Sequence, residues 1–305
     1  MRFSVPHCVN SFFLPFRLGL LKKHDIEYVN SRVNYYNKLN VIKPLNKEAV
    51  FLSDFKPGNK GKAYFFDTFE YTRFFRNDFA FYPLFGDITH VPDYPSITKS
   101  RPIKGDNLNS VILNLDKARH FNFINDPVNF REKIDRMVWR VNINQEHRAR
   151  FMEMYFNCEI CDLGNVAKNT KFSGWQKPRM SIRRHLDYKF VLCLEGHDVA
   201  TNLKWVMSSN SVAVMPEPKY ETWFMEGKLK PDFHYIRIKD DYSDLIERLN
   251  YYIEHTQEAE AIITNAHEYV SQFKNKGRED IISLLVLRKY FKRTGQSNCK
   301  ISFSD

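Results

Sequence analysis

From Met137 onward short apolar runs alternate with amphipathic stretches, and this alternation is what most narrows the folds open to the chain. Met137-Val138-Trp139-Arg140-Val141 reads as a strand, Gln145 to Phe156 as a helix, and Lys189-Phe190-Val191-Leu192-Cys193-Leu194 as a fully apolar strand ended by Gly196. Ser181 is placed to cap a helix from Ile182 to Tyr188. Asp198 to Ser208 carries Leu203, Val206 and Met207 on one helical face and leads into Ser211-Val212-Ala213-Val214-Met215, a buried strand stopped by Pro216. Strand, helix, strand in this rhythm is the βαβ unit, so the fold class is α/β with a parallel sheet. His234 to Ile238 adds a strand. Ser243 then caps a helix through Leu245, Ile246, Leu249, Tyr252 and Ile253, and Thr256 opens another through Ile262, Ala266, Tyr269, Val270 and Phe273. A shorter apolar helix from Ile281 to Tyr290 closes the pattern.

The earlier residues have a different texture. Ala49-Val50-Phe51-Leu52, Ala63-Tyr64-Phe65-Phe66 and Val111-Ile112-Leu113-Asn114-Leu115 are short apolar stretches broken by Pro, Gly and Asn, and their order is not readable. At 305 residues the default is two domains of roughly 150 residues each. The change of texture predicts an amino-terminal domain over 1–130, a second over 131–275, and a carboxyl-terminal helix and tail over 276–305 packing back on the first.

Lys and Arg number 46 against 36 acidic residues, a formal charge of +10, so the partner is anionic: nucleic acid, an acidic membrane face or a phosphorylated glycolipid. The cations are scattered, with only pairs such as Lys22-Lys23, Arg183-Arg184 and Lys292-Arg293, which argues against a nucleic-acid arm. The 26 Phe and 16 Tyr supply either an aromatic core or stacking surfaces for sugars or bases. Pro6, His7, Asn10 and Pro15 interrupt the start of the chain, so no signal peptide or membrane span is read there. Five cysteines without regular spacing point to a reducing cytoplasm; Cys158 and Cys161 form a lone C-x-x-C without a second pair, which favours free thiols over zinc.

In open parallel sheets ligands bind beyond the carboxyl ends of the strands. The loop Glu195-Gly196-His197-Asp198 holds that position. Gly196 allows close backbone approach, and Thr201, Asn202 and Lys204 follow as donors for diphosphate oxygens; the alternative is a bare structural turn. Neither a G-x-G-x-x-G fingerprint nor a G-x-x-x-x-G-K-[ST] loop occurs.

The stretches Tyr188 to Gly196, Asn202-Leu203-Lys204-Trp205 and Ser208 to Val212 resemble the core of glycosyltransferase family 90. Asp198 to Trp205 and Pro218-Lys219-Tyr220-Glu221-Thr222-Trp223-Phe224 resemble its bacterial lipopolysaccharide-core branch, and the likeness runs from about Phe85 to Tyr290. The resemblance implies a GT-B architecture, two Rossmann-like domains facing a cleft, with a UDP-hexose donor on the carboxyl-terminal side and the acceptor on the other. It also implies inversion at the anomeric carbon without a bound metal or cofactor, in keeping with the absence of a D-x-D motif; Asp240-Asp241 reads as the polar start of a helix.

By the same resemblance Arg148 contacts the donor diphosphate. Arg140, His197, Asp198, Ser211 and Glu221 join it as donor-binding candidates, although Glu221 equally suits a cap on a helix after Pro218, and both arginines suit surface ion pairs. A family arginine is replaced here by Asn202, which leaves Lys204 to substitute. Asp93, in Val91-Pro92-Asp93-Tyr94-Pro95, aligns with the family's catalytic aspartate and is the expected general base; Asp87 and His90 are alternatives, and a turn-organising role for Asp93 stays open. Tyr94, Lys99 and Arg101 complete the acceptor-side candidates, with a solvated basic loop the equal alternative for Lys99 and Arg101. The resemblance implies a cytoplasmic enzyme touching the anionic inner-membrane surface, with a lipopolysaccharide core acceptor and no nucleic-acid partner. Capsule or protein O-glycosylation is an alternative, as is a non-catalytic glycan- or nucleic-acid-binding protein.

Overall fold

The computed structural model describes residues 13–58, 61–168 and 172–296. The first residues, where a leader segment would be read, and Cys8 and Cys299 lie outside them. The chain divides into two compact units. Unit 1 comprises Met1–Ala118, Tyr220–Phe224 and Asn275–Asp305, and unit 2 comprises Arg119–Lys219 and Met225–Lys274. Neither is contiguous, so no single cut of the sequence, at 130 or elsewhere, separates them.

Unit 1 begins with the short helix α1 (Leu14–Gly19) and helix α2 (Ile26–Tyr36), whose first turn is capped by Asp25 accepting from the Tyr28 amide. Strand β1 (Val50–Phe51), helix α3 (Lys62–Thr72) and strands β2 (Ala80–Phe81), β3 (Pro83–Leu84), β4 (Ser96–Thr98), β5 (Arg101–Pro102) and β6 (Ser110–Ile112) follow. The apolar run Ala63–Phe66 is therefore helical, while Val111–Ile112 forms part of a strand. β3, β4 and β6 make a three-stranded parallel sheet with β4 in the centre, and β1 pairs antiparallel with β2.

Unit 2 opens with β7 (Ile134–Val141), helix α4 (Glu146–Tyr155) and β8 (Cys161–Asn165). The one-turn helix α5 (Ile182–His185), capped by the Ser181 side chain, leads into β9 (Tyr188–Leu192), the one-turn helix α6 (Leu203–Val206) and β10 (Val212–Met215). The chain next contributes β11 (Tyr220–Glu221) to unit 1, where it pairs antiparallel with β5. It returns to unit 2 for β12 (Ile236–Arg237) and helices α7 (Leu245–Glu254) and α8 (Thr256–Ser271), and ends in unit 1 with α9 (Lys276–Arg293).

The sheet of unit 2 is wholly parallel, in the order β12-β10-β9-β7-β8. Counted within the unit this is 2-1-3-4-5, a doubly wound order. Both faces are buried, which is why its strands read as continuous apolar runs. Met137, Trp139, Phe190, Leu192, Val212, Val214 and Ile236 point to one core together with Phe151 of α4 and Leu245 and Leu249 of α7. Val138, Val191 and Ala213 alternate to the other face and are equally buried.

Three local expectations are corrected. The helix expected over Asp198–Ser208 is only α6, because Asn202 donates its side-chain amide to the Leu192 carbonyl at 2.9 Å, holding the preceding residues as turns over the end of β9. Ser243 does not cap α7: its amide and hydroxyl both bond to Asp241, and Asp244 occupies the cap position. The last helix is longer than read, since Asn275 caps it by accepting from the Arg278 amide and its first turn is polar.

The inserted segment Tyr220–Phe224 is anchored within unit 1 by charge and stacking. Arg32 forms a bidentate pair with Glu279, at 3.2 and 2.8 Å, and Trp223 Nε1 donates to the same carboxylate at 2.6 Å. The Trp223 ring stacks on Tyr36 with centroids 3.8 Å apart. These groups come from α2, α9 and the insert, so they bind the two ends of the chain to its middle.

Candidate functional site

In the 2-1-3-4-5 order the chain leaves β7 for β8 on one side and later places β9 on the other. The carboxyl ends of β7 and β9 therefore flank the switch point at which doubly wound sheets bind ligands. Arg148, on the first turn of α4, fills it. Its Nε donates to the Glu195 carbonyl at 2.9 Å, Nη2 to the Leu194 carbonyl at 2.9 Å and Nη1 to the Asn142 carbonyl at 3.2 Å. The guanidinium also lies 5.6 Å from the centre of the Trp139 ring.

Three of a guanidinium's five N–H donors are thus engaged with strand-end carbonyls, leaving two. No carboxylate pairs with Arg148 among the described residues. Burial lowers its pKa to about 10, which still leaves it cationic at neutral pH. Gly196 lies directly on this group: a Cβ there would stand 3.2 Å from Nη2. A half-buried cation with spare donors beside a turn that lacks a side chain is arranged to receive an anion.

The surrounding turn is held from both sides. His147 Nε2 lies 2.9 Å from the Glu195 carbonyl, and Glu195 Oε1 accepts from the Lys219 amide at 2.9 Å. His197 is exposed, and Thr201 and Asn202 are partly so. Beyond β8 on the same edge, an open depression of about 430 Å³ is lined by Asn165, Lys168, Gln176, Lys177 and Arg179 among others. Sequence reading named Glu195 only as part of the loop after the strand and gave no role to Asn142, just past β7, or to His147, on the first turn of α4.

Several expected donor-binding residues do not reach this place. Arg140 points at β8, where its Nη2 pairs with Asp162 at 2.8 Å; Lys177 at 2.9 Å and the Tyr188 hydroxyl at 2.7 Å share that carboxylate. Despite desolvation, these donors hold the Asp162 carboxyl down to about 2. Lys204 is fully buried and paired with Glu226 at 2.5 Å. Ser211 precedes β10 and donates to the Tyr188 carbonyl at 2.7 Å, at the amino edge of the sheet, opposite the switch point. Asp198 is 2% exposed.

Glu221 and Arg101, expected on opposite substrates, are partners. They face each other across β11 and β5, with Arg101 Nε 2.8 Å from Glu221 Oε1, and are 2% and 0% exposed. The first helical turn after Pro218, Glu226–Lys228, has Met225 at its cap position, so Glu221, in β11, does not cap it.

In unit 1, Asp87 and Lys99 pair at 2.5 Å just past the carboxyl ends of β3 and β4, and His90 is exposed. Asp93 lies on the loop that returns to β4, and that loop is pinned. Asn109 Nδ2 donates to the Pro92 and Asp93 carbonyls at 3.0 and 2.8 Å, and the Tyr290 hydroxyl donates to the Pro95 carbonyl at 2.8 Å. Tyr94 stacks on Tyr82, with centroids 5.8 Å apart. The Asp93 side chain is exposed on this fixed backbone, and its carboxylate has no hydrogen-bond or ion-pair partner among the described residues. Cys158, Cys161 and Cys193 are free thiols, and no group of three or more His, Cys, Asp or Glu side chains gathers for a metal among the described residues.

A doubly wound parallel sheet with an arginine held over a glycine turn at its switch point defines an α/β protein. More particularly, the chain belongs to glycosyl transferase family 90, whose profile matches residues 110–292 and takes in all of unit 2. It is 41% identical over 263 residues to the O-glucosyltransferase LpsA of Dichelobacter nodosus, covering 86% of this chain and 82% of that protein. The protein 027R of Frog virus 3 (isolate Goorha) is 31% identical over 120 residues, which span 38% of this chain and 12% of the viral protein. The protein 035R of Invertebrate iridescent virus 3 is 27% identical over 93 residues, or 30% of this chain and 8% of its own length. Asp93 precedes the matched profile.

Proposed function

We propose that the chain is an inverting, metal-independent hexosyltransferase of GT-B organisation that moves glucose or galactose from a UDP-sugar to a hydroxyl of the lipopolysaccharide inner core, on the cytoplasmic side of the membrane. The family and the name of the Dichelobacter nodosus relative support sugar transfer and favour glucose. The observation that carries the donor assignment is Arg148, a cation with two unengaged donors held over Gly196 by three carbonyls.

In this reading the donor diphosphate lies against Arg148 and the Gly196 turn, which take up negative charge as the anomeric bond to UDP breaks. Asp93 accepts the proton of the acceptor hydroxyl as that oxygen bonds to the anomeric carbon from the opposite face. Its exposed, unpartnered carboxylate on a pinned loop suits that task better than Asp87, which Lys99 already neutralises. The test is UDP release and product formation from UDP-glucose and UDP-galactose with truncated lipooligosaccharide as acceptor. Asp93→Asn should lower kcat by roughly 10²–10⁴-fold while UDP still binds; normal transfer by the variant removes Asp93 from the role. No turnover with either donor on any core acceptor removes the lipopolysaccharide reading.

A further inference from the structure

Residues 13–24 of unit 1 present a surface that is both apolar and cationic. α1 turns Leu14 and Leu18 inward, at 4% and 9% exposure, and leaves Phe13 at 44% and Phe16 at 71% exposed. The 3-10 turn Leu20–Lys23 that follows exposes Lys22 and Lys23. Neither lysine has an acidic partner among the described residues. Across residues 1–24 the sequence contains Arg2, Arg17, Lys22 and Lys23 and no Asp or Glu. The first acid, Asp25, caps α2.

We infer that this surface docks the protein on an anionic lipid bilayer, with Phe13 and Phe16 entering the boundary between headgroups and acyl chains and Lys22 and Lys23 meeting lipid phosphates. An exposed aromatic beside an excess of one sign of charge is the composition that binds interfaces rather than dissolving in water or spanning a membrane. With six residues, α1 is far short of the roughly 20 needed to span. A second copy fits less well, because a two-fold contact would set each lysine pair against its own like. The inference goes beyond the catalytic reading and does not depend on which sugar is moved.

The test is co-sedimentation of the full chain with vesicles of phosphatidylcholine alone and of phosphatidylcholine mixed with phosphatidylglycerol, at low and high salt. The chain should bind the mixed vesicles and be released by salt. Lys22→Glu/Lys23→Glu should weaken partitioning by roughly 25-fold or more, about fivefold for each lysine lost. Phe16→Ser should weaken it several-fold without changing the salt dependence. All three positions are exposed, so unfolding curves should match the wild type. Equal binding to both vesicle types, or mixed-vesicle binding unchanged in the variants, overturns the inference. So does a concentration-dependent dimer that Phe16→Ser dissolves while vesicle binding is absent. No donor or acceptor enters the assay, so its failure leaves the transfer reading untouched.

Discussion

Arg101→Ala separates a structural from a substrate-binding role at a position read from sequence as an acceptor contact or a solvated loop residue and found buried in an ion pair. Arg101 is fully buried, pairs with Glu221 and donates to the carbonyls of Tyr35 at 2.7 Å, Ser110 at 3.0 Å and Tyr36 at 3.2 Å. Removing it leaves the Glu221 carboxylate in the interior with the Tyr35 hydroxyl as its remaining hydrogen-bond donor. Breaking a buried pair in this way costs about 3–5 kcal/mol. Each abandoned carbonyl adds about 1 kcal/mol. At roughly 2–4 °C per kcal/mol the pair alone lowers Tm by roughly 6–20 °C. Arg101→Met/Glu221→Leu removes both charges together and should recover most of that loss, because the larger part comes from stranding one charge. Thermal and urea unfolding followed by circular dichroism measures all three proteins. A single variant that unfolds like the wild type but loses acceptor affinity refutes the structural placement, and so does a double variant less stable than the single.

Gly164→Ala should cost about 1–3 kcal/mol by overpacking, since its Cβ would stand 2.6 Å from Lys177 Cβ and 2.9 Å from Arg140 Cδ; a urea midpoint equal to the wild type's refutes this. Burial pushes the His234 imidazole down to about 4, and its Nδ1 accepts from the Lys230 amide at 2.9 Å, which requires the neutral ring. The unfolded chain titrates its histidine near pH ~6.5 and takes up the proton first, so this contribution to stability is present above that pH and is lost as pH falls towards about 4. His234→Gln should flatten the unfolding-midpoint profile across that window, and an unchanged slope contradicts the assignment.

The strands of unit 2 were legible because a parallel sheet covered on both faces must be apolar throughout, as Phe190 to Leu192 and Val212 to Met215 are. Unit 1 was not, because its strands are two or three residues long, too short to carry an alternating or apolar pattern. β5 meets β11 through Arg101 and Glu221, 120 positions apart, and no local pattern announces that pairing. The same holds for individual cations. Lys204 reads as a donor on an exposed helix until Glu226, 22 positions later, is seen to bury it. Arg148 was found through family likeness, but the three carbonyls that aim it depend on which strand ends are neighbours, and that is a property of topology.

In the proposed reaction Arg148 and the Gly196 turn receive a diphosphate. Calorimetric titration of the wild type and Arg148→Ala with UDP and with uridine measures it directly. The wild type should bind UDP far more tightly than uridine. The variant should lose roughly 10–150-fold in UDP affinity, the loss expected for hydrogen bonds to a charged partner, with uridine affinity unchanged. UDP affinity equal in the two proteins, or an equal loss for uridine, contradicts the account.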